Sequence, residues 1–109
     1  MMTKLDDLIA VANKLRAPGG CPWDAEQDHN SLTKYLLEEA YELIDAIESG
    51  NREDILEELG DVLYQVVFHS DLAASGSLGE PFDIQDVAEL SAQKMIGRHP
   101  HVFGSAEEL

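Results

Sequence analysis

One cysteine, seven basic side chains and no long apolar run set the first limits on this 109-residue chain. Cys21 has no second thiol, so it can form no internal disulfide and has no cysteine partner for a zinc site. No stretch of 18 apolar residues occurs, which excludes a membrane-crossing helix. The opening residues, MMTKLDDLIAVANKLRAPGG, carry Asp6 and Asp7 where a signal peptide needs an apolar segment. Together these absences predict a cytoplasmic protein with no membrane partner. The shortage of bases is equally informative. Lys and Arg number 7 against 22 Asp and Glu, a net charge of −15. Broad binding of a nucleic-acid polymer needs a basic face, and this balance argues against one. An excess of carboxylates instead suits divalent cations and, through them, phosphorylated ligands.

What is present reads as helix. An apolar fraction of 44% supports one packed core, so a single domain over residues 1–109 is expected. That core is small enough for burial against a second copy to help. Leu5, Leu8, Ile9, Ala12 and Leu15 predict a first helix, capped by Thr3 or Asp6 and stopped at Ala17-Pro-Gly-Gly20. Cys21-Pro-Trp-Asp24 opens a connecting loop that reaches about Asn30. Ser31 is expected to cap a second helix, with Leu32, Leu36, Leu43 and Ile47 on one face and Gly50-Asn51 as its end. A third runs from about Arg52 to Ala74, with Ile55, Leu59, Val62, Leu63, Val66 and Val67 in one stripe. Asp83 is expected to cap a fourth that turns Ile84, Val87, Leu90, Ser91 and Met95 inward and ends near Gly97. The expected fold is therefore all-α, with four helices. The short connection at Gly50 makes helices two and three an antiparallel hairpin. Their apolar stripes are wide, and Tyr64, Phe68 and Leu72 add a further row. This predicts a helical homodimer, with a tetramer as the alternative.

Between Leu36 and Asp61 the chain sets ten Asp or Glu and one base, Arg52, among core-spaced Leu and Ile. On the second helix Glu39 and Glu42 border the apolar stripe, with Glu38 and Asp45 further out. On the third, Glu58 and Asp61 border it, with Asp54 and Gln65 on the same side. Each pair is spaced i,i+3 and so shares a helix face. Packed helices lie roughly 8–10 Å apart, close enough for the two pairs to converge. Four carboxylates about 5 Å apart would repel by about 3 kcal/mol per pair at an effective dielectric near 20. A small domain has little stability to set against that. Acid-rich helix faces are commonly just solvated, but two pairs on adjoining helices, short of compensating bases, favour a bound cation. Oxygen ligands without a nearby thiol select a hard ion, Mg²⁺ or alternatively Mn²⁺.

The pattern Glu38-Glu39-x-x-Glu42 followed by Glu58-x-x-Asp61 resembles the signature of the MazG family of nucleoside triphosphate pyrophosphohydrolases. The likeness extends in order through Gly20-Cys-Pro-Trp-Asp24, Glu26-Gln27, Glu58-Leu-Gly-Asp61-Val-Leu-Tyr-Gln-Val-Val-Phe68 and Arg98-His-Pro-His-Val-Phe103. It covers about Leu15 to Phe103 and looks most like the N-terminal type of MazG domain. The resemblance implies an all-α enzyme that cuts nucleoside triphosphates between the α- and β-phosphates. It implies Glu39, Glu42, Glu58 and Asp61 as Mg²⁺ ligands, Glu38 and Glu39 as the catalytic carboxylates, and Lys94 and Arg98 as contacts to the triphosphate.

Other residues stand out less. Trp23 and Tyr35 can stack on a base, although Trp23 after Pro22 serves equally well to plug a core gap. His69, among apolar residues, is expected to be a satisfied core histidine. His99 and His101 flank Pro100 in an expected extended segment, where packing or a loop hydrogen bond is favoured over zinc. The rival reading of the whole chain is a catalytically silent helical dimerisation module, its acids vestigial or a structural metal site.

Overall fold

The structure is a computed structural model that describes residues 2–104, so the single-domain reading of 1–109 runs past the described residues at both ends. Among the described residues six helices follow in order: α1 (Lys4–Arg16), α2 (Pro22–Glu26), α3 (Thr33–Ser49), α4 (Arg52–Ala74), α5 (Ile84–Arg98) and α6 (Pro100–Phe103). No strand occurs among the described residues. The four expected helices are α1, α3, α4 and α5. The two short ones replace the loop expected from Cys21 and the extended segment expected around Pro100. Each begins at a proline, whose fixed φ suits the first helical position and whose missing N–H is not needed there.

Local chemistry explains the boundaries. Thr3 Oγ1 accepts the Asp6 N–H at 3.1 Å and the Asp6 carboxylate accepts the Thr3 N–H at 2.9 Å, a reciprocal cap on α1. The chain then turns so tightly that a Cβ on Gly20 would lie 2.3 Å from the Lys14 carbonyl oxygen, which only glycine avoids. Ser31 does not cap α3. It pairs with Asp28 instead, the Ser31 N–H donating to Asp28 Oδ1 at 2.7 Å and the Asp28 N–H to Ser31 Oγ at 2.9 Å. Leu32 occupies the cap position without a side-chain bond. Gly50, at φ 72°, closes α3 in the left-handed conformation. Asn51 Oδ1 accepts the Asp54 N–H at 3.0 Å and opens α4. Two residues thus separate α3 from α4, and the pair is antiparallel.

The buried core is Leu32 on Phe68 and Leu72, with Tyr35 and Tyr64 packed against it. Every buried residue of α4 falls between Val67 and Ala73. There α1 joins the hairpin: Ala12 is fully buried, Asn13 Nδ2 donates to Asp71 Oδ1 at 3.1 Å, and Arg16 forms an ion pair with Asp71. The row Tyr64, Phe68 and Leu72, expected to serve a second copy, is therefore the intramolecular core. Leu59, Leu63 and Val66, expected inward, are exposed. The N-terminal half of α4 has α3 as its packed neighbour while α1 reaches its C-terminal half, so the buried face rotates along the helix. In α5 the expected inward residues Leu90 and Met95 are likewise exposed, as are Leu36 and Ile47 of α3.

Candidate metal centre

Antiparallel pairing of α3 and α4 sets Glu39 and Glu42 opposite Glu58 and Asp61. One oxygen from each of the four carboxylates lies within 4.8 Å of all the others. Glu39, Glu58 and Asp61 are half-buried and Glu42 is exposed at the rim. Beside the rim, Asp45 and Asp54 join Glu42 and Glu58 around a hollow of ≈ 270 Å³, so the acidic surroundings are broader than the four. Glu38 is exposed next to Glu39.

The cluster is electrostatically frustrated. Among the described residues the two ion pairs are Arg16–Asp71 and Arg52–Glu53, and neither involves these four acids. Burial, then Asp61 and Glu42, raises the Glu39 carboxyl above the usual range. Glu58 is pushed up to about 7, by burial first and then by Glu42, Asp61 and Glu39. Oε2 of Glu39 and Oε2 of Glu58 are shut off from solvent and have no hydrogen-bond partner among the described residues. A buried carboxylate oxygen without a donor is costly, and a cation removes both that cost and the mutual repulsion. The donor set is all oxygen, so these residues fit a hard divalent ion.

A stability test follows from Glu58. Its folded pKa lies above its ordinary value, so between those values the folded state holds more protons than the unfolded one and loses stability as pH rises. His69 works in the opposite sense: burial, then His29, holds it below the usual histidine range, so its contribution is complete above that range. From about pH 6.5 to 8 the Glu58 effect is thus left uncovered. Chelator-treated protein should melt at lower temperature at pH 8 than at pH 6.5, and Glu58→Gln should flatten the slope. A flat or rising profile in the wild type would contradict the frustration.

The remaining candidates are placed less closely. Trp23, 48% exposed, meets Tyr35 edge-on with ring centroids 5.6 Å apart, and Tyr35 itself leans on the core. Lys94 and Arg98 are exposed on α5, which packs on α4, and among the described residues neither lines the acidic hollow or forms an ion pair. His99 Nδ1 donates to the Met95 carbonyl in the last turn of α5 at 2.6 Å, a bond at a helix end where an extended segment was expected. His69 departs from expectation. Its Nδ1 pairs with His29 Nδ1 at 2.7 Å, but its Nε2 is buried without a partner, as is Oε1 of Gln65 one turn before it. The sequence signal for Gln65 was its place on the acidic side of its helix; for His69 there was none, because its partner His29 lies 40 residues away.

Comparison with known proteins gives a consistent result. A family model described as the MazG nucleotide pyrophosphohydrolase domain matches residues 27–103, a span that holds all four acids but not Trp23. Over 101 residues the chain is 50% identical to a Thermotoga maritima protein named nucleoside triphosphate pyrophosphohydrolase/pyrophosphatase MazG, covering 93% of this chain and 38% of the relative. Identity is 50% over 100 residues to a nucleoside triphosphate pyrophosphohydrolase of Mycolicibacterium smegmatis, covering 92% and 30% respectively. It is 41% over 106 residues to the protein of that name in Escherichia coli K12, covering 96% and 39%. The chain spans no more than about two fifths of the length of these curated relatives.

Proposed function

Because the chain belongs to the MazG nucleotide pyrophosphohydrolase domain family, we propose that it hydrolyses nucleoside triphosphates, deoxy or non-standard ones foremost, to monophosphate and pyrophosphate with Mg²⁺. The supporting observation is the pair of solvent-shielded, unpartnered oxygens on Glu39 and Glu58 within the four-acid cluster.

In this reading Glu39, Glu42, Glu58 and Asp61 hold the ion, with Mn²⁺ an acceptable substitute. The bound cation supplies a water of lowered pKa and offsets charge on the leaving pyrophosphate. Glu39 and Glu58 have to shed their protons to act as ligands, so their raised pKa values make occupancy favour neutral and higher pH. Glu38, exposed beside Glu39, would support the ligands from behind or help orient the attacking water. Lys94 and Arg98, one turn apart on α5 and without an ion pair among the described residues, would bind the β- and γ-phosphates and stabilise charge as the α–β bond breaks. Trp23, backed by Tyr35, offers its ring to the nucleoside.

The test is product analysis. A deoxynucleoside triphosphate incubated with the protein and Mg²⁺ should give monophosphate and pyrophosphate in equal amounts by ion-exchange chromatography, with no diphosphate. Accumulating diphosphate with released phosphate would overturn the cleavage site. No turnover of any nucleotide by folded, Mg²⁺-loaded protein would select the silent dimerisation module instead.

The same proposal includes a homodimer. Leu59, Leu63 and Val66 leave an apolar row open along α4. The Cα radius of gyration is 16.5 Å, against about 13 Å for a compact domain of 100 residues. Both fit a helical face that a second copy covers. Light scattering should return twice the 12.0 kDa chain mass or a higher multiple at micromolar concentration; a value of one chain mass would refute it.

A further inference from the structure

One helical turn from the acids, the groove between α3 and α4 opens into a separate hollow of ≈ 290 Å³. Leu36 stands three residues before Glu39 and Gln65 four after Asp61, so both elements that carry the acids also form this hollow. Val66, Phe82 and Val87 line it with apolar surface. Gln65 and His69 also belong to its lining. Oε1 of Gln65 and Nε2 of His69 are closed off from solvent and have no hydrogen-bond partner among the described residues. An apolar recess with a few convergent polar groups is the usual form of a small-molecule site.

The His69 group is not a loose end. His69 Nδ1 lies 2.7 Å from His29 Nδ1, and His29 Nε2 lies 2.7 Å from Ser77 Oγ. This chain of bonds fixes the ring and couples its tautomer to the Ser77 hydroxyl, which can donate or accept. If Ser77 donates, His29 donates in turn to His69 Nδ1, and His69 Nε2 carries the hydrogen as a donor without a partner. If Ser77 accepts, His69 Nε2 presents a lone pair. Burial and the neighbouring His29 keep the ring neutral at physiological pH, so both tautomers are open to it. Gln65 Oε1 needs a donor in either case.

We propose that this hollow receives the heterocyclic base of the nucleotide, with Gln65 Oε1 accepting a ring or amino N–H and His69 Nε2 bonding the adjacent position on the base edge. The occupant is a base rather than a lipid or an apolar side chain, because two unpaired polar atoms beside apolar walls match a flat ring with a polar edge. The assignment rests on the hydrolytic reading for what lies at the acids, since phosphates held there put the base about one turn away. It adds Gln65 and His69 as specificity-determining residues, distinct from Trp23.

Two measurements test it. In the first, Gln65→Leu and His69→Phe are assayed on the four deoxynucleoside triphosphates and on a sugar triphosphate that lacks a base. Each variant should raise KM for nucleotides at least ten-fold and level the preference among bases. Turnover of the base-free substrate should stay within two-fold of wild type. In the second, the imidazole resonances of wild-type His69 are followed by NMR while deoxynucleoside monophosphates, or deoxyribose 5-phosphate as control, are added without metal. The monophosphates should move the signal saturably and the control should not. That result upholds the base site even if no triphosphate is ever hydrolysed. An unmoved signal, or one that shifts with protein dilution and not with nucleotide, overturns it, the latter showing that a second copy fills the hollow. Base preference lost in Trp23→Ala but kept in both hollow variants overturns it as well.

Discussion

Glu39→Gln and Asp61→Asn are expected to lose Mg²⁺-dependent hydrolysis by roughly a thousand-fold while remaining folded, the equivalent of about 4 kcal/mol of transition-state stabilisation. Each substitution leaves three carboxylates where four converge within 4.8 Å. A hard cation then has too few charged oxygens to compete with its own hydration. Neither side chain supports the core, which is built from Leu32, Phe68 and Leu72. Folding should therefore survive. Metal-free protein should even become more stable, because Glu39 is pushed toward its protonated form by burial and by Asp61, and either change removes part of that conflict. Initial rates of pyrophosphate release, with circular dichroism melts in chelator, check both halves. Near-full activity in both variants would show that the four acids do not hold the catalytic ion.

Phe68→Ala carries the largest expected cost to stability, about 3–5 kcal/mol, in a domain whose total is on the order of 5–15 kcal/mol. The ring is 2% exposed and sits between Leu32 and Leu72. It meets Tyr64 edge-on at 5.9 Å, and the Arg16 guanidinium lies 5.8 Å from its centroid. Removing the ring leaves a cavity where α1, α3 and α4 meet, and it withdraws the surface against which Arg16 lies while pairing with Asp71. Urea titration should show a much lower midpoint or no native baseline. Leu59→Ala, at a residue 52% exposed, provides the contrast. It should alter the stability of a dimer at a given protein concentration far more than that of a dilute single chain. A loss below about 1 kcal/mol for Phe68→Ala would mean that the core lies elsewhere.

Much of this molecule is written in short-range pattern. Thr3 and Asp83 cap the helices they precede, Gly50 and Asn51 make the turn between α3 and α4, and Arg52 to Ala74 is the observed span of α4. All of these depend on residues within one or two turns of each other. The convergence of Glu39, Glu42, Glu58 and Asp61 was legible for the same reason. An i,i+3 spacing puts each pair on one face, and a two-residue connection leaves antiparallel pairing as the way for the helices to meet.

Three things were decided only by the tertiary structure. Which apolar row of α4 faces inward depends on where α1 lands, and α1 is held by Asn13 and Arg16 on Asp71, more than 50 residues away. Periodicity offered two rows and favoured the one holding Leu59, Leu63 and Val66, which the structure leaves exposed, over the row of Phe68 and Leu72, which it buries. The exposure of Leu90 and Met95 follows from the packing of α5 on α4, which leaves Ile84, Val87 and Ile96 as its half-buried residues. The unpaired edge of His69 exists because His29, from the loop before α3, takes its other nitrogen. Helix content, caps and the acidic face are set by neighbours along the chain. The choice of core face and the unsatisfied groups beside the acids are set by which elements touch, and no local spacing encodes that.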